Sequence, residues 1–144
     1  MTVPSGVKMS GIYQGEKHCE LSHGPSGSKI ETDAPKDNHG KGERFSPTDL
    51  VGAALGSCIV TTMAILTEKD GLNLAGVQFE VQKIMGSNPR RISELFVSLN
   101  LPKNLAVEQR LRLEEIARSC PVQMSLHHNI KVHLQFNYCN RDHS

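Results

Sequence analysis

The feature that most limits how this chain can fold is a long apolar segment that begins with a helix-start signal. In Ser46-Pro47-Thr48-Asp49, Ser46 fits the N-cap position, Pro47 the first helical position and Asp49 the end of a capping box. Apolar residues then continue to Leu66 and cover most of the helix circumference, and Gly71 is the expected stop. The segment therefore predicts a buried central helix, and it carries Cys58.

Strand patterns lie on both sides of this helix. Before it, three short patterns separated by turn residues predict an antiparallel meander over residues 7–13, 17–23 and 28–33. After it, residues 74–85 and 95–101 alternate between apolar and polar and flank a Gly-Ser-Asn-Pro turn. This second pair predicts a long hairpin with one buried face.

A second helix and a last strand complete the order of elements. Asn104 is the expected N-cap of that helix, and Pro121 ends it because the residue before a proline is disfavoured in the α region. Residues 132–136 alternate again and predict a strand. The chain is thus predicted to be α+β, in the order β-β-β-α-β-β-α-β, as a single domain over residues 1–144.

Composition narrows the function classes. The formal net charge of +1 provides no basic surface for nucleic acid. The N-terminus lacks the apolar run of a secretory signal, and residues 50–66 are expected to be too short and too polar to span a membrane comfortably. We therefore expect a cytoplasmic protein with no nucleic-acid or membrane partner. Its four cysteines would then be kept reduced. They are not expected to form structural disulfides, so another role must explain their presence.

Two of these cysteines, Cys58 and Cys120, lie at positions that suit a reactive thiol. Cys120 precedes Pro121, which can begin a short helix, so its sulfur is expected near free N–H groups that favour a thiolate. The alternative for Cys120 is a small buried hydrophobic residue at a kink, and Cys58 taken alone also suits helix packing. Both helices must cross one small core, however, and two thiols brought together there suit a peroxidatic and resolving pair.

Other sites are less well supported by the pattern. Cys19, in a strand, and Cys139, near the C-terminus, are interpreted as incidental. The seven histidines include no H-x-x-x-H pair, and no C-x-x-C occurs. A zinc site built from Cys58, Cys120 and a nearby histidine stays open as an alternative.

Two separated motifs now identify a resemblance. FSPTDLVGAALGSC, ending at Cys58, and SCPVQMSL, containing Cys120, resemble the two motifs of the OsmC/Ohr family of osmotically inducible and organic hydroperoxide resistance proteins. The resemblance covers nearly the whole chain. It implies two central helices packed against antiparallel sheets, and an intertwined homodimer in which each site draws on both chains.

The resemblance also implies roles for the thiols. Cys58 would be the peroxidatic thiolate and Cys120 the resolving thiol, with no cofactor but with an external dithiol, of lipoyl type, as reductant. The family's best-studied hydroperoxidases have a glutamate ten residues before the first cysteine, where this chain has Thr48, and an N-terminal arginine, whereas no arginine precedes Arg44 here. Glu43, Arg44, Thr48 and Asp49 are the nearby polar groups that could support the site. The chain is most similar to the OsmC-like branch.

The expected function is thiol-dependent reduction of organic hydroperoxides in oxidative-stress defence. The missing glutamate and arginine favour an alternative on the same fold, a non-enzymatic thiol redox sensor or small-molecule-binding protein. A zinc-binding scaffold is the third alternative.

Overall fold

The computed structural model describes residues 5–139. The chain forms two compact units, the first ending at Leu50 and the second beginning at Val51. The predicted order of strands and helices is confirmed. The assignment of residues 1–144 to a single domain stays a prediction.

The first unit contains the predicted antiparallel meander. Its strands are β1 (Met9–Tyr13), β2 (His18–His23) and β3 (Lys29–Asp33), paired in the order β1-β2-β3. The register places His18 opposite Asp33. A short 3-10 turn, Lys36–Asn38, lies in the polar loop that follows β3.

The long helix α1 (Pro47–Thr67) begins with the predicted capping box. The Asp49 N–H donates to Ser46 Oγ at 3.0 Å, and the Ser46 N–H donates to the Asp49 carboxylate at 2.9 Å. A 3-10 turn, Glu68–Asp70, follows the helix, and Gly71 adopts the left-handed region at φ 76°. The predicted start of the helix is therefore confirmed, whereas the α-helix ends at Thr67 and Gly71 ends the 3-10 turn after it.

The second unit contains a three-stranded sheet of β4 (Gln78–Gly86), β5 (Arg91–Pro102) and β6 (Lys131–Cys139). The β4–β5 pair is antiparallel, as the hairpin predicted, but β5 and β6 are parallel. The expectation of antiparallel sheets throughout is therefore wrong for this pair. Residues 103–130 separate the two strands and are long enough for a helical crossover, which brings β6 back in the direction of β5.

Two helices form that crossover, α2 (Val107–Ala117) and α3 (Pro121–Ser125). The prediction that Asn104 caps α2 is wrong, because the helix begins two residues later, with Ala106 at the N-cap position. The Gln109 side chain accepts a hydrogen bond from the Ala106 N–H at 2.9 Å. A glutamine at the third helical position thus decides where the helix begins.

The core of the second unit is built from both long helices and the sheet. The fully or almost fully buried apolar side chains come from α1, the loop after it, β5, α2 and the residue before α3: Leu55, Ile59, Met63, Leu74, Ile92, Leu95, Val97, Leu99, Leu101, Leu113, Ile116, Ala117 and Cys120. Leucine, isoleucine, valine and methionine fill this core, as the low aromatic content of 4% requires.

Helix α1 with its 3-10 turn is long and apolar enough to cross a membrane by length and composition, with a mean hydropathy of 1.9 in an 18-residue window within Pro47–Asp70. The expectation that this segment is too short and too polar to span a membrane is therefore not met by its length or by its mean hydropathy. The core helices of soluble proteins share the same properties, and Leu55, Ile59 and Met63 of α1 are fully buried within the second unit.

Two glycines of α1 face the sheet and differ in the space around them. A Cβ on Gly56 would lie 2.7 Å from two ring carbons of Phe79 and 2.9 Å from Val81 Cγ2, whereas one on Gly52 would lie 3.4 Å from its nearest neighbours. Both Gly→Ala changes gain about 1 kcal/mol of helix propensity, but only that at Gly56 overpacks the core, which costs about 1–3 kcal/mol. We expect Gly56→Ala to unfold at lower urea concentration than Gly52→Ala, and equal unfolding midpoints would contradict the close contact.

Candidate active site

Cys58 lies in the middle of α1 and is half-buried. Its neighbours on the helix, Leu55 and Ile59, point into the core and are fully buried. The α-helical period then places Cys58 at the border of the buried face, where a side chain can contact both the core and a ligand. Thr62, one turn later, has its Oγ1 atom 3.7 Å from Cys58 Sγ.

Cys120 lies between α2 and α3 and is fully buried. Pro121 is the first residue of α3, as the sequence predicted, and Cys120 takes the extended backbone of an N-cap residue, with φ −67° and ψ 156°. Its sulfur accepts a hydrogen bond from the Gln123 N–H at 3.4 Å. The expected position of this thiol beside free N–H groups is therefore confirmed.

The fold brings the two cysteines together within the second unit. The Val122 N–H, at the start of α3, donates to Cys58 Sγ at 3.5 Å, although 64 positions separate the two residues. Each thiol also influences the pKa of the other, so the two sulfurs are neighbours. Helix α3 thus offers one N–H to each sulfur, which places both thiols at the start of the same helix.

The two thiols differ in acidity. Burial by itself raises the pKa of Cys58, but hydrogen bonds from the Val122 N–H, the Thr62 hydroxyl and the Cys120 thiol outweigh it and hold that pKa below the ordinary cysteine value. Burial is also the largest influence on Cys120. Its hydrogen bond to Cys58 acts in the same direction, so the pKa of Cys120 is raised despite the Gln123 N–H.

The N–H groups of α3, which the sequence predicted beside Cys120, are divided between the two thiols. The Gln123 N–H donates to Cys120, whereas the Val122 N–H donates to Cys58. Cys120 is also fully buried whereas Cys58 is half-buried, and burial disfavours the charged form of a thiol.

Each of the four predicted supporting groups has a contact inside the first unit. The Glu43 N–H donates to Asp33 at 3.2 Å, and Arg44 Nε donates to Glu31 at 3.1 Å. Thr48 Oγ1 lies 3.2 Å from Ser46 Oγ, and Asp49 belongs to the capping box. A role for Glu43, Arg44, Thr48 or Asp49 in cysteine chemistry stays a prediction.

No pattern in the sequence indicated a charge network around His18 in the first unit. The His18 ring lies between two carboxylates, with Nδ1 2.6 Å from Asp33 and Nε2 3.1 Å from Glu31. The hydrogen bond to Asp33, and then that to Glu31, raises the pKa of His18. The pairing of β2 with β3 reveals this cluster, because His18 lies 15 and 13 positions before the two carboxylates.

Thr62 is the other residue that the sequence reasoning missed. Its spacing of four from Cys58 was the available signal, since residues at i and i+4 share a helix face. Cys19 and Cys139 lie on β2 and β6 as half-buried free thiols. Within residues 5–139, no three His, Cys, Asp or Glu side chains come together in a group that could hold a metal ion.

Comparisons with known proteins agree with this architecture. The family model described as OsmC-like protein matches residues 40–135. A solved structure from Psychrobacter arcticus 273-4, of a protein named for osmotic stress induction and detoxification response, is 34% identical to this chain. It superposes with a TM-score of 0.89 and covers 94% of this chain and 99% of its own.

More distant structures share the fold. An OsmC-like protein from Mycoplasma pneumoniae, 12% identical, superposes with a TM-score of 0.77 over 94% of this chain and 99% of its own. The organic hydroperoxide resistance protein OhrB of Bacillus subtilis, 16% identical, has a TM-score of 0.65 over 92% and 98%. No curated protein sequence matches the chain.

Proposed function

Because the chain belongs to the OsmC-like protein family, we propose that it reduces organic hydroperoxides in oxidative-stress defence, with Cys58 as the attacking thiolate and Cys120 as the resolving thiol. The observation that carries the proposal is that the start of α3 contacts both thiols, with the Val122 N–H donating to Cys58 Sγ at 3.5 Å and the Gln123 N–H to Cys120 Sγ at 3.4 Å. Neighbours of the same fold that are named as organic hydroperoxide resistance proteins support a peroxide-related stress role.

The proposed reaction balances in three steps. The Cys58 thiolate attacks the outer oxygen of ROOH, an S–O bond forms and the O–O bond breaks, and the departing RO⁻ takes a proton to give the alcohol ROH. The Cys120 thiol then attacks the sulfur of the Cys58 sulfenic acid, which releases water and leaves a disulfide. An external dithiol reduces the disulfide and is itself oxidised to a disulfide.

The surroundings of Cys58 support an organic substrate. Cys58 packs against the apolar core of the second unit. An alkyl or aryl group can gain from burial against such side chains at about 25 cal/mol per Å², which hydrogen peroxide cannot. We therefore propose hydroperoxides with an apolar substituent as substrates.

The partners follow from the same proposal. All five residues of β1 are exposed in the single chain, including Met9, Ile12 and Tyr13. Apolar side chains on an exposed strand support a homodimer in which a second copy covers them. A lipoyl-type dithiol is the proposed reductant. No metal or organic cofactor takes part in the proposed steps. The proposed location of the protein is the cytoplasm.

A second candidate is a thiol redox sensor. It is favoured by the neutral character of the donors at Cys58, since Val122 N–H, Thr62 and Cys120 carry no charge to stabilise a transition state. A sensor requires that the Cys58–Cys120 disulfide forms, but it does not require that the disulfide is rapidly reduced again. The two candidates therefore differ in rate and not in the oxidised product.

The test is a steady-state assay with cumene hydroperoxide and dihydrolipoamide, with hydrogen peroxide as the comparison. We expect catalytic consumption of cumene hydroperoxide, slower consumption of hydrogen peroxide, and a Cys58–Cys120 disulfide in peptide mass spectra when the reductant is omitted. Formation of that disulfide without turnover would favour the sensor. Absence of both turnover and disulfide would exclude the thiol pair as the functional site.

A further inference from the structure

Within residues 5–139, the neutral groups beside the Cys58 sulfur include one side chain that takes no part in the proposed reaction. Val122 contributes a backbone N–H at 3.5 Å, and Cys120 is the proposed resolving thiol. The remaining group is the hydroxyl of Thr62, with its Oγ1 atom 3.7 Å from Cys58 Sγ, where either the hydroxyl or the thiol can donate. Hydrogen bonds to sulfur are longer than those to oxygen, and this distance is suited to an O–H donor and a sulfur acceptor.

We propose that Thr62 is a positioning residue, whose hydroxyl donates a hydrogen bond that keeps Cys58 as an aligned thiolate. The inference rests on the proposed function, in which that thiolate attacks the hydroperoxide. It also accounts for a departure from the family pattern, since Thr48 stands where the best-studied family members have a glutamate and no arginine precedes Arg44. A neutral donor on the same helix then contributes part of the stabilisation that an ion pair supplies elsewhere.

The helix geometry makes this donor well suited to the task. Residues four apart on an α-helix lie on the same face, and β-branched side chains have few χ1 rotamers in a helix. Thr62 and Cys58 are both half-buried, so bulk water competes less for the hydroxyl than at an exposed position. A hydrogen bond to a charged acceptor in such a setting is stronger than one between neutral groups.

The test compares three substitutions on α1. Thr62→Val keeps the branched shape and removes the hydroxyl, Thr62→Ser keeps the hydroxyl, and Thr61→Val makes the same change at the adjacent, exposed position. The readout is the rate of Cys58 alkylation by iodoacetamide as a function of pH, with the modified peptide quantified by mass spectrometry. Thermal unfolding of each variant reports separately on any loss of stability.

We expect Thr62→Val to move the midpoint of the Cys58 profile upward by about one pH unit, which is a roughly tenfold loss of thiolate below the midpoint. Thr62→Ser is expected to restore the midpoint to within a few tenths of a unit, and Thr61→Val to leave it unchanged. A purely structural role for Thr62 would lower the unfolding temperature without moving the midpoint. An unchanged midpoint in Thr62→Val, or an equal shift in Thr61→Val, would overturn the proposal.

The alkylation test separates this inference from the proposed function because no peroxide takes part in it. If the unaltered protein fails to consume cumene hydroperoxide while Thr62→Val still shifts the midpoint, the peroxidase proposal fails and the role of Thr62 stands. If the protein consumes the hydroperoxide and the midpoint does not move, only the role of Thr62 is overturned.

Discussion

Replacement of Cys58 by serine is expected to abolish the consumption of cumene hydroperoxide. A serine hydroxyl has a far higher pKa than a thiol, so the three donors around position 58 cannot hold it as an anion near neutral pH, and oxygen cannot form the sulfenic acid on which the proposed steps depend. Loss of a catalytic nucleophile elsewhere lowers kcat by several orders of magnitude, and we expect a loss of at least about 1,000-fold here.

The substitution has a direct control within the chain. Cys19→Ser and Cys139→Ser remove free thiols on β2 and β6, outside the thiol pair of α1 and α3. Both variants are expected to retain the rate of the unaltered protein. A Cys58→Ser protein that still consumes the hydroperoxide would contradict the assignment of the nucleophile, and circular dichroism spectra would show that the variants share one fold.

Replacement of Cys120 by serine is expected to stop the reaction after its first step when no external thiol is present. Without the resolving thiol, each Cys58 consumes one equivalent of cumene hydroperoxide and remains as a sulfenic acid, which dimedone traps as a thioether detectable by mass spectrometry. We expect turnover with dihydrolipoamide to fall by about tenfold or more, because an exogenous thiol must then reach a sulfur that the neighbouring Cys120 reaches without diffusion.

The structure makes this serine variant a close match for the native protein. Cys120 caps α3 through the hydrogen bond from the Gln123 N–H, and serine is among the preferred N-cap residues. Its hydroxyl can also donate to Cys58 as the thiol does. Full turnover in Cys120→Ser without a dimedone adduct would show that Cys120 does not resolve the intermediate.

Neutral stabilisation of the thiolate distinguishes this chain from its better-studied relatives. The family pattern combines a glutamate with an arginine, and the described second unit instead offers Cys58 a backbone N–H, a hydroxyl and a thiol. Neutral donors lower a thiol pKa less than a nearby full charge does. These neutral groups are consistent with a peroxidase that is slower than the arginine-containing enzymes. They are equally consistent with a thiol redox sensor.

Local signals in the sequence were sufficient for most of the elements. The capping box at Ser46 and Asp49 acts over a few residues and forms as predicted, and Gly71 ends the 3-10 turn that follows the helix. Turn residues between short strand patterns predicted the meander, and alternation of apolar and polar residues predicted the hairpin. Asn104 failed as a cap because Gln109, five residues later, forms the competing hydrogen bond to the Ala106 N–H.

Sequence alone determined that two motifs carrying Cys58 and Cys120 lie on helices of an α+β chain, because caps, stops and apolar periods are local properties of the backbone. Only the tertiary structure decided that β6 returns parallel to β5, that the Val122 N–H points to Cys58 rather than Cys120, and that burial raises the pKa of Cys120. These outcomes depend on groups far apart in the chain, whose distances and burial arise only when the helices pack on the sheet.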